Sequence, residues 1–231
     1  MSQRYFLDEL NQVITGQDAH HIKKVMRMKT GDEIIVCAQK KCFLASIEIN
    51  DDHVTYQTIE ELKQPSKMDV TLIQGLPKGS KNDFVVKYAT IFNASKIILT
   101  PMQRSIAKLE NTDNKLKRLS LIAKEAAELA HRFEVPEIKF EKSMSAIDFE
   151  VFDLILLADE NNKTKTLDQV VPKTLNDLKI ALIIGPEGGI TDAEREMLKN
   201  RNAVSISLGN NIIPTEAASL YALSYLSINK S

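Results

Sequence analysis

The chain has 231 residues, of which 43% are apolar and 26% charged, and a net charge of −1. That length holds one large or two small domains, and the balance is that of an ordinary globular protein, which sets aside collagen-like and disordered classes. The longest apolar runs, LILLA at 154–158 and IALII at 180–184, are far shorter than the ~20 residues that cross a bilayer as a helix, and MSQRYFLDEL lacks a signal-peptide core; a cytoplasmic location is expected.

In chain order, the first 68 residues predict a small β-rich unit. A short helix around HHIKKVMRMK precedes three strands, DEIIVCA, KCFLASIEI and HVTYQTIEEL, with turns at Thr30-Gly31-Asp32 and Asn50-Asp51-Asp52. Cys37 and Cys42 flank AQKK; with no other ligands nearby for a metal, they are expected to be structural thiols. KQPSKMD, with Pro65 and Ser66, is the expected linker. The division is 1–68 and 69–231.

From Asp69 onward strands alternate with helices. VTLIQGL, KIILTPM, DLILLAD, KIALIIG and AVSISLG read as strands. KNDFVVKYATIF, NKLKRLSLIAKEAAELAHRF, DAEREMLKNRN and EAASLYALSYLSI read as helices. In the long helix, Leu116, Leu119, Ile122 or Ala123, Ala126 and Leu129 are expected to share the apolar face. Thr191 and Glu194 form a candidate capping box. The alternation predicts an α/β domain with a mostly parallel sheet covered on both faces.

Charge is unevenly spread. Residues 71–132 hold eleven lysines and arginines against five acids, a net of +6 that leaves −7 for the rest. A chain near neutrality can thus carry a basic face of the kind phosphates require, although lysine-rich helices exposed to water give the same count.

Ligands of such sheets bind beyond the carboxyl ends of strands. Three ends stand out: LLAD before ENNKTK, LIIG before PEGG, and SISLG before NNIIPTEAA. Three of the eight glycines lie within Gly185–Gly189. Neither a dinucleotide fingerprint nor a Walker loop is present. GPEGG alone is compatible with a plain strand-to-helix turn; paired with SLGNNIIPTEAA it is far more specific.

With those two loops the chain resembles the RsmE family, bacterial methyltransferases of the SPOUT class. The resemblance extends over RYF (4–6), HHIKKVMRMKTGDEI (20–34), QGLPKGSKNDFVVKYAT (74–90), QRSI (103–106), IAKEAAE (122–128), HRFEVP (131–136), LIIGPEGGIT (182–191) and LGNNIIPTEAASLYAL (208–223). It implies methylation of N3 of a uridine in 16S ribosomal RNA with S-adenosylmethionine, a PUA-like β-barrel at the N-terminus, a trefoil knot in the C-terminal domain, and a homodimer. It places the cofactor against Ala158, Gly185, Pro186, Glu187, Gly188, Gly189, Leu208, Gly209, Ile212, Ile213 and Thr215. Arg104 is the candidate cation for charge developing on the base, and Glu125 and Glu128 are candidate general bases. Arg4, His21, Lys24, Arg27, Lys78, Lys81 and Arg132 are candidate RNA contacts. The sequence departs from the family at Asn211 and Pro214, where arginines are common, and at Leu129. The rival readings are a SPOUT methyltransferase with a different RNA target and a non-catalytic RNA-binding descendant.

Overall fold

The structure, a computed structural model, describes residues 2–64, 69–162, 164–173, 175 and 178–228. The chain divides into two units, Met1–Pro65 with Ala127–Val135, and Ser66–Ala126 with Pro136–Ser231. Residues 65–68 of the expected linker lie outside the described residues.

In the first unit, β1 (Arg4–Phe6), β2 (Val13–Ile14), β3 (Glu33–Ala38), β4 (Lys41–Ile49) and β5 (Val54–Glu61) form one sheet in the order β1-β3-β4-β5-β2. The three longer strands match the expected ones. The two short ones carry too few residues for an alternation to register. On β4 the buried positions are Cys42, Ala45 and Ile47, and the odd step from 42 to 45 is re-phased by a register shift between Leu44 and Ala45. The expected helix at 20–29 begins earlier, as α1 (Gly16–His20), and continues as a π-helical turn over His21–Val25. Tyr5, Ile22, Ile34, Val36, Ile47 and Tyr56 anchor the core.

The hairpin between β3 and β4 corrects one expectation. Gln39 and Lys40 have φ of +50 and +65, the signature of a two-residue type I′ turn. That turn sets Cys37 directly opposite Cys42, with Cα atoms 4.1 Å apart, and the two are joined in a disulfide. They are not separate thiols.

The second unit is built on β6 (Asp69–Gly75), β7 (Lys96–Thr100), β8 (Glu137–Phe140), β9 (Leu154–Ala158), β10 (Lys179–Ile184) and β11 (Val204–Ile206). They form one sheet, β11-β9-β10-β6-β7-β8, in which every pairing is parallel. The central strands β6 and β10 are buried on both faces: β10 is an apolar run after Lys179, and β6 is buried from Val70 to Gly75 with Thr71 and Gln74 among its apolar residues. Helices α2 (Lys81–Ile91), α3 (Thr112–Leu129), α4 (Leu167–Val170), α5 (Asp192–Lys199) and α6 (Thr215–Ile228) connect or close them. Neither β8 nor α4, each of four residues, is among the expected elements. On α3 the buried stripe runs through Leu119, Ala123, Ala126 and Ala127, and Leu129 is 68% exposed. At 100° per residue Leu129 falls off a stripe centred between Ala123 and Ala126. The capping box at α5 forms as expected: Thr191 Oγ1 accepts from Glu194 N at 3.3 Å, and Glu194 accepts from Thr191 N at 2.9 Å.

Candidate functional site

The strands β9, β10 and β11 are adjacent and parallel, so their carboxyl ends share one edge of the sheet. The loops leaving those ends enclose a cavity of about 190 Å³. Ten of the eleven residues assigned to a cofactor line it: Ala158 at the end of β9; Gly185, Pro186, Glu187 and Gly189 after β10; and Leu208, Gly209, Ile212, Ile213 and Thr215 after β11. Gly188 does not. Glu160, Ser207 and Asn211, which are not among the expected cofactor residues, and Lys81, an expected RNA contact, also line it. Lys81 and Asn211 lie inside recognised blocks, while Glu160 and Ser207 had no signal but a place beside a strand end or such a block.

Two side chains hold the rim together. Thr215, the first residue of α6, donates its hydroxyl to the carbonyl of Gly185, and Gln74 Nε2 donates to Thr215 Oγ1 at 2.8 Å. The start of α6 is thereby fastened to the ends of β6 and β10.

Two of the glycines are required by packing within the protein. A Cβ on Gly188 would lie 2.7 Å from Arg104 Cβ and 2.9 Å from its carbonyl oxygen. At Gly189, φ is +74 and a Cβ would lie 2.4 Å from Glu160 Oε1. The room left by these hydrogens is taken by protein: they let the glycine loop press against the segment carrying Arg104 and against Glu160.

Asp159, on the cavity lining, is 8% exposed and accepts from Arg195 Nε at 2.9 Å, Arg195 Nη2 at 3.1 Å, Ser205 Oγ at 3.2 Å and the Asn161 amide at 3.0 Å. Burial alone would raise its pKa; the Arg195 hydrogen bonds lead the contributions that outweigh it and hold the carboxyl below the ordinary range. At the mouth, Lys81 Nζ lies 3.0 Å from Glu216 and 3.2 Å from Glu187. These hydrogen bonds, Glu216 first, raise the lysine. Burial opposes ionisation of Glu187, but the Lys78 amide at 3.0 Å and Lys81 hold its pKa down. The cavity is thus walled by apolar side chains and backbone, with Lys81, Asp159, Glu160 and Glu187 also on its lining. Among the described residues no group of His, Cys, Asp or Glu gathers that could hold a metal.

Arg104 is exposed and donates from Nη1 to Gly188 O at 3.1 Å. Its loop is anchored to α5, since Gln103 N donates to Glu194 at 2.8 Å. The structure brings neither Glu125 nor Glu128 to the cavity lining. Glu125 is exposed, and Glu128 accepts from Phe6 N at 3.2 Å in the first unit.

The expected RNA contacts divide. Lys24, Arg27 and Lys78 are exposed, while His21 is half-buried with Nδ1 2.9 Å from Tyr5 Oη. Arg4 and Arg132 were expected to add to the surface, but are only 6% and 8% exposed. Arg4 donates to the carbonyls of His131 and Arg132 and stacks 4.9 Å from the Phe133 ring centroid. Burial pushes Arg132 down to about 10, against the pull of Glu134. Both were missed because charge in a sequence does not reveal burial.

Residues 64–227 match the family of the RNA methyltransferase domain, and residues 14–55 that of the RNA methyltransferase PUA domain. The ribosomal RNA small subunit methyltransferase E of Bacillus subtilis (strain 168) is 34% identical, over 97% of this chain and 96% of that protein. Its namesake from Rickettsia conorii is 30% identical, over 92% and 87%. The crystal structure of the Neisseria gonorrhoeae ribosomal RNA small subunit methyltransferase E, bound to S-adenosyl methionine, shares the fold with a TM-score of 0.86 at 21% identity, covering 100% of this chain and 98% of that one.

Proposed function

This chain belongs to the ribosomal RNA small subunit methyltransferase E family, and from that premise we propose that it methylates N3 of a uridine in 16S ribosomal RNA with S-adenosylmethionine. The observation that carries the proposal is the cavity at the ends of β9, β10 and β11, lined by backbone, aliphatic side chains, Lys81 and the acids Asp159, Glu160 and Glu187. Those residues fit the donor: it has no phosphate, and its ammonium and sulfonium charges suit Glu160 and Glu187. Apolar Leu208, Ile212 and Ile213 offer flat contact for a purine, and the loop backbone offers donors and acceptors for its edge. When bound, the donor supplies an electrophilic methyl group.

In the net reaction the N3–CH₃ bond forms, the S–CH₃ bond breaks with its electron pair left on sulfur, and the N3 proton passes to solvent or a base. The chain's share is to hold the partners in line, an effect worth about 7–11 kcal/mol in favourable cases, and to stabilise the negative charge that spreads over the uracil oxygens. Arg104, held against the glycine loop by Gly188, is our candidate for that stabilisation. Residues 1–68 serve as the PUA-like RNA-binding domain and 69–231 as the SPOUT methyltransferase domain, with the trefoil knot that the resemblance implies. Lys24, Arg27 and Lys78 are the exposed cations suited to phosphates. The working form is a homodimer in the cytoplasm. Tyr221 and Ile228, seven residues apart on α6, are 52% and 78% exposed, and pairing of two chains would cover them.

The test is methyl transfer from S-adenosylmethionine to small ribosomal subunits lacking the modification, followed by nucleoside analysis. 3-Methyluridine is expected, and Arg104→Ala should lower kcat about 10²-fold or more while the thermal shift caused by the donor is retained. Methylation elsewhere, or none, overturns the assignment.

A further inference from the structure

A second cavity, of about 210 Å³, lies in the same unit, outside the lining of the first. Its walls are apolar at Leu76, Leu119 and Phe140, and Lys108, Lys115 and Arg118 also line it. Glu110 is the one acid on that lining. Arg118 is paired with Asp83, whereas Lys108 and Lys115 have no ion-pair partner among the described residues. Asn82, near the start of α2, uses its Nδ2 at 3.5 Å from Pro77 O, but its Oδ1 is buried with no hydrogen-bond partner. A buried amide oxygen left without a donor costs free energy unless something binds there.

The two cavities share a wall. Lys81 lines the first and its neighbour Asn82 the second. Pro77 and Gly79 face the second, while the Lys78 amide between them donates to Glu187 of the first at 3.0 Å. An apolar slot with an unmatched amide and cationic side chains has the chemistry of a nucleotide site: the slot takes a base, the amide its edge, the lysines its phosphates. Resting on the methyltransferase reading above, we propose that this cavity seats an unpaired nucleotide next to the methylated uridine, so that the strand is held on both sides of the wall at residues 77–82.

The test uses the full chain with Lys108 and Lys115 both changed to Ala, and separately Asn82→Leu. Methyl transfer to small subunits is measured against salt at saturating donor, together with fluorescence anisotropy of a labelled single-stranded pentaribonucleotide. For the double variant, kcat/KM should fall about 10- to 100-fold, and the slope of log affinity against log salt should shrink by about 1.4, as for two lost phosphate contacts. The donor's thermal shift should stay at the wild-type value, which shows that the variant is folded. Asn82→Leu should keep the salt slope and change the ranking among pentamers that differ in one base. Unchanged kcat/KM and unchanged pentamer binding in the double variant overturn the proposal. If the wild type methylates no subunits, the family target fails, and pentamer binding alone decides the cavity: loss in the double variant supports it and retention refutes it.

Discussion

Two regions of this molecule hold an arginine away from bulk water, one buried and one half-buried, and they do it in opposite ways. In the first unit Arg4 is 6% exposed and bonds to carbonyl oxygens just past the end of α3, with a phenyl ring at its flank. In the second, Arg195 grips the carboxylate of Asp159 on the lining of the glycine-loop cavity. Burial pushes the Arg4 pKa down, whereas the Asp159 hydrogen bond pushes that of Arg195 up. Carbonyls at a helix C-terminus supply only partial negative charge; a carboxylate supplies a full one. Removing Arg4 leaves the carbonyls of His131 and Arg132 without their donor.

Arg4→Ala tests this with the largest expected effect. It should destabilise the protein by about 3 kcal/mol, since charged hydrogen bonds are worth about 1.5–3 kcal/mol each, as read by urea denaturation. Arg4→Lys should recover less than half, because one ammonium cannot reproduce the planar fork. A loss below about 1 kcal/mol would show that the carbonyls are satisfied without it.

Asp159→Asn comes next, at about 2 kcal/mol, because the pair is partly reached by solvent through Arg195, which is 19% exposed. This variant also carries a pH signature. The folded-state pKa of Asp159 lies below its unfolded value of about 3.9, so the stabilisation is complete above that value and is lost as the pH falls through the folded one. Between pH 5 and pH 3 the parent should lose more stability than the Asn variant; parallel curves would remove Asp159 from the acid response.

At the exposed end of the scale, Glu187→Gln removes one carboxylate from Lys81 and should change stability by less than about 1 kcal/mol. Its effect should appear instead as weaker binding of S-adenosylmethionine by calorimetry. Lys24→Ala, fully on the surface, should leave stability within about 0.5 kcal/mol and lower only RNA affinity.

The same contrast explains what could be read from the sequence. The second unit was legible because strand and helix periods alternate cleanly and because backbone-built sites leave glycine and proline behind, as at Gly185–Gly189. The placement of ten expected residues on one cavity owes as much to the likeness of whole blocks as to physics, since no spacing rule says that the loop after β11 meets the loop after β10. What escaped was tertiary. Arg4 and Arg132 look like surface cations until the residues after α3 are seen to join the first unit. Cys37 and Cys42 look like separate thiols until a turn of two left-handed residues sets them face to face. Nor does the sequence show that Gly188 packs against Arg104 and Gly189 against Glu160.

The pairing of β6 with β10 has a consequence for how the chain comes to be. Asp69 lies beside Lys179, so the two innermost strands are about 110 residues apart along the polypeptide. Contacts so remote slow folding into the millisecond-to-second range. During synthesis at about 5–20 residues per second, β6 waits on the order of ten seconds for its neighbour to emerge. The oldest strand of the sheet's centre is completed by one of the youngest.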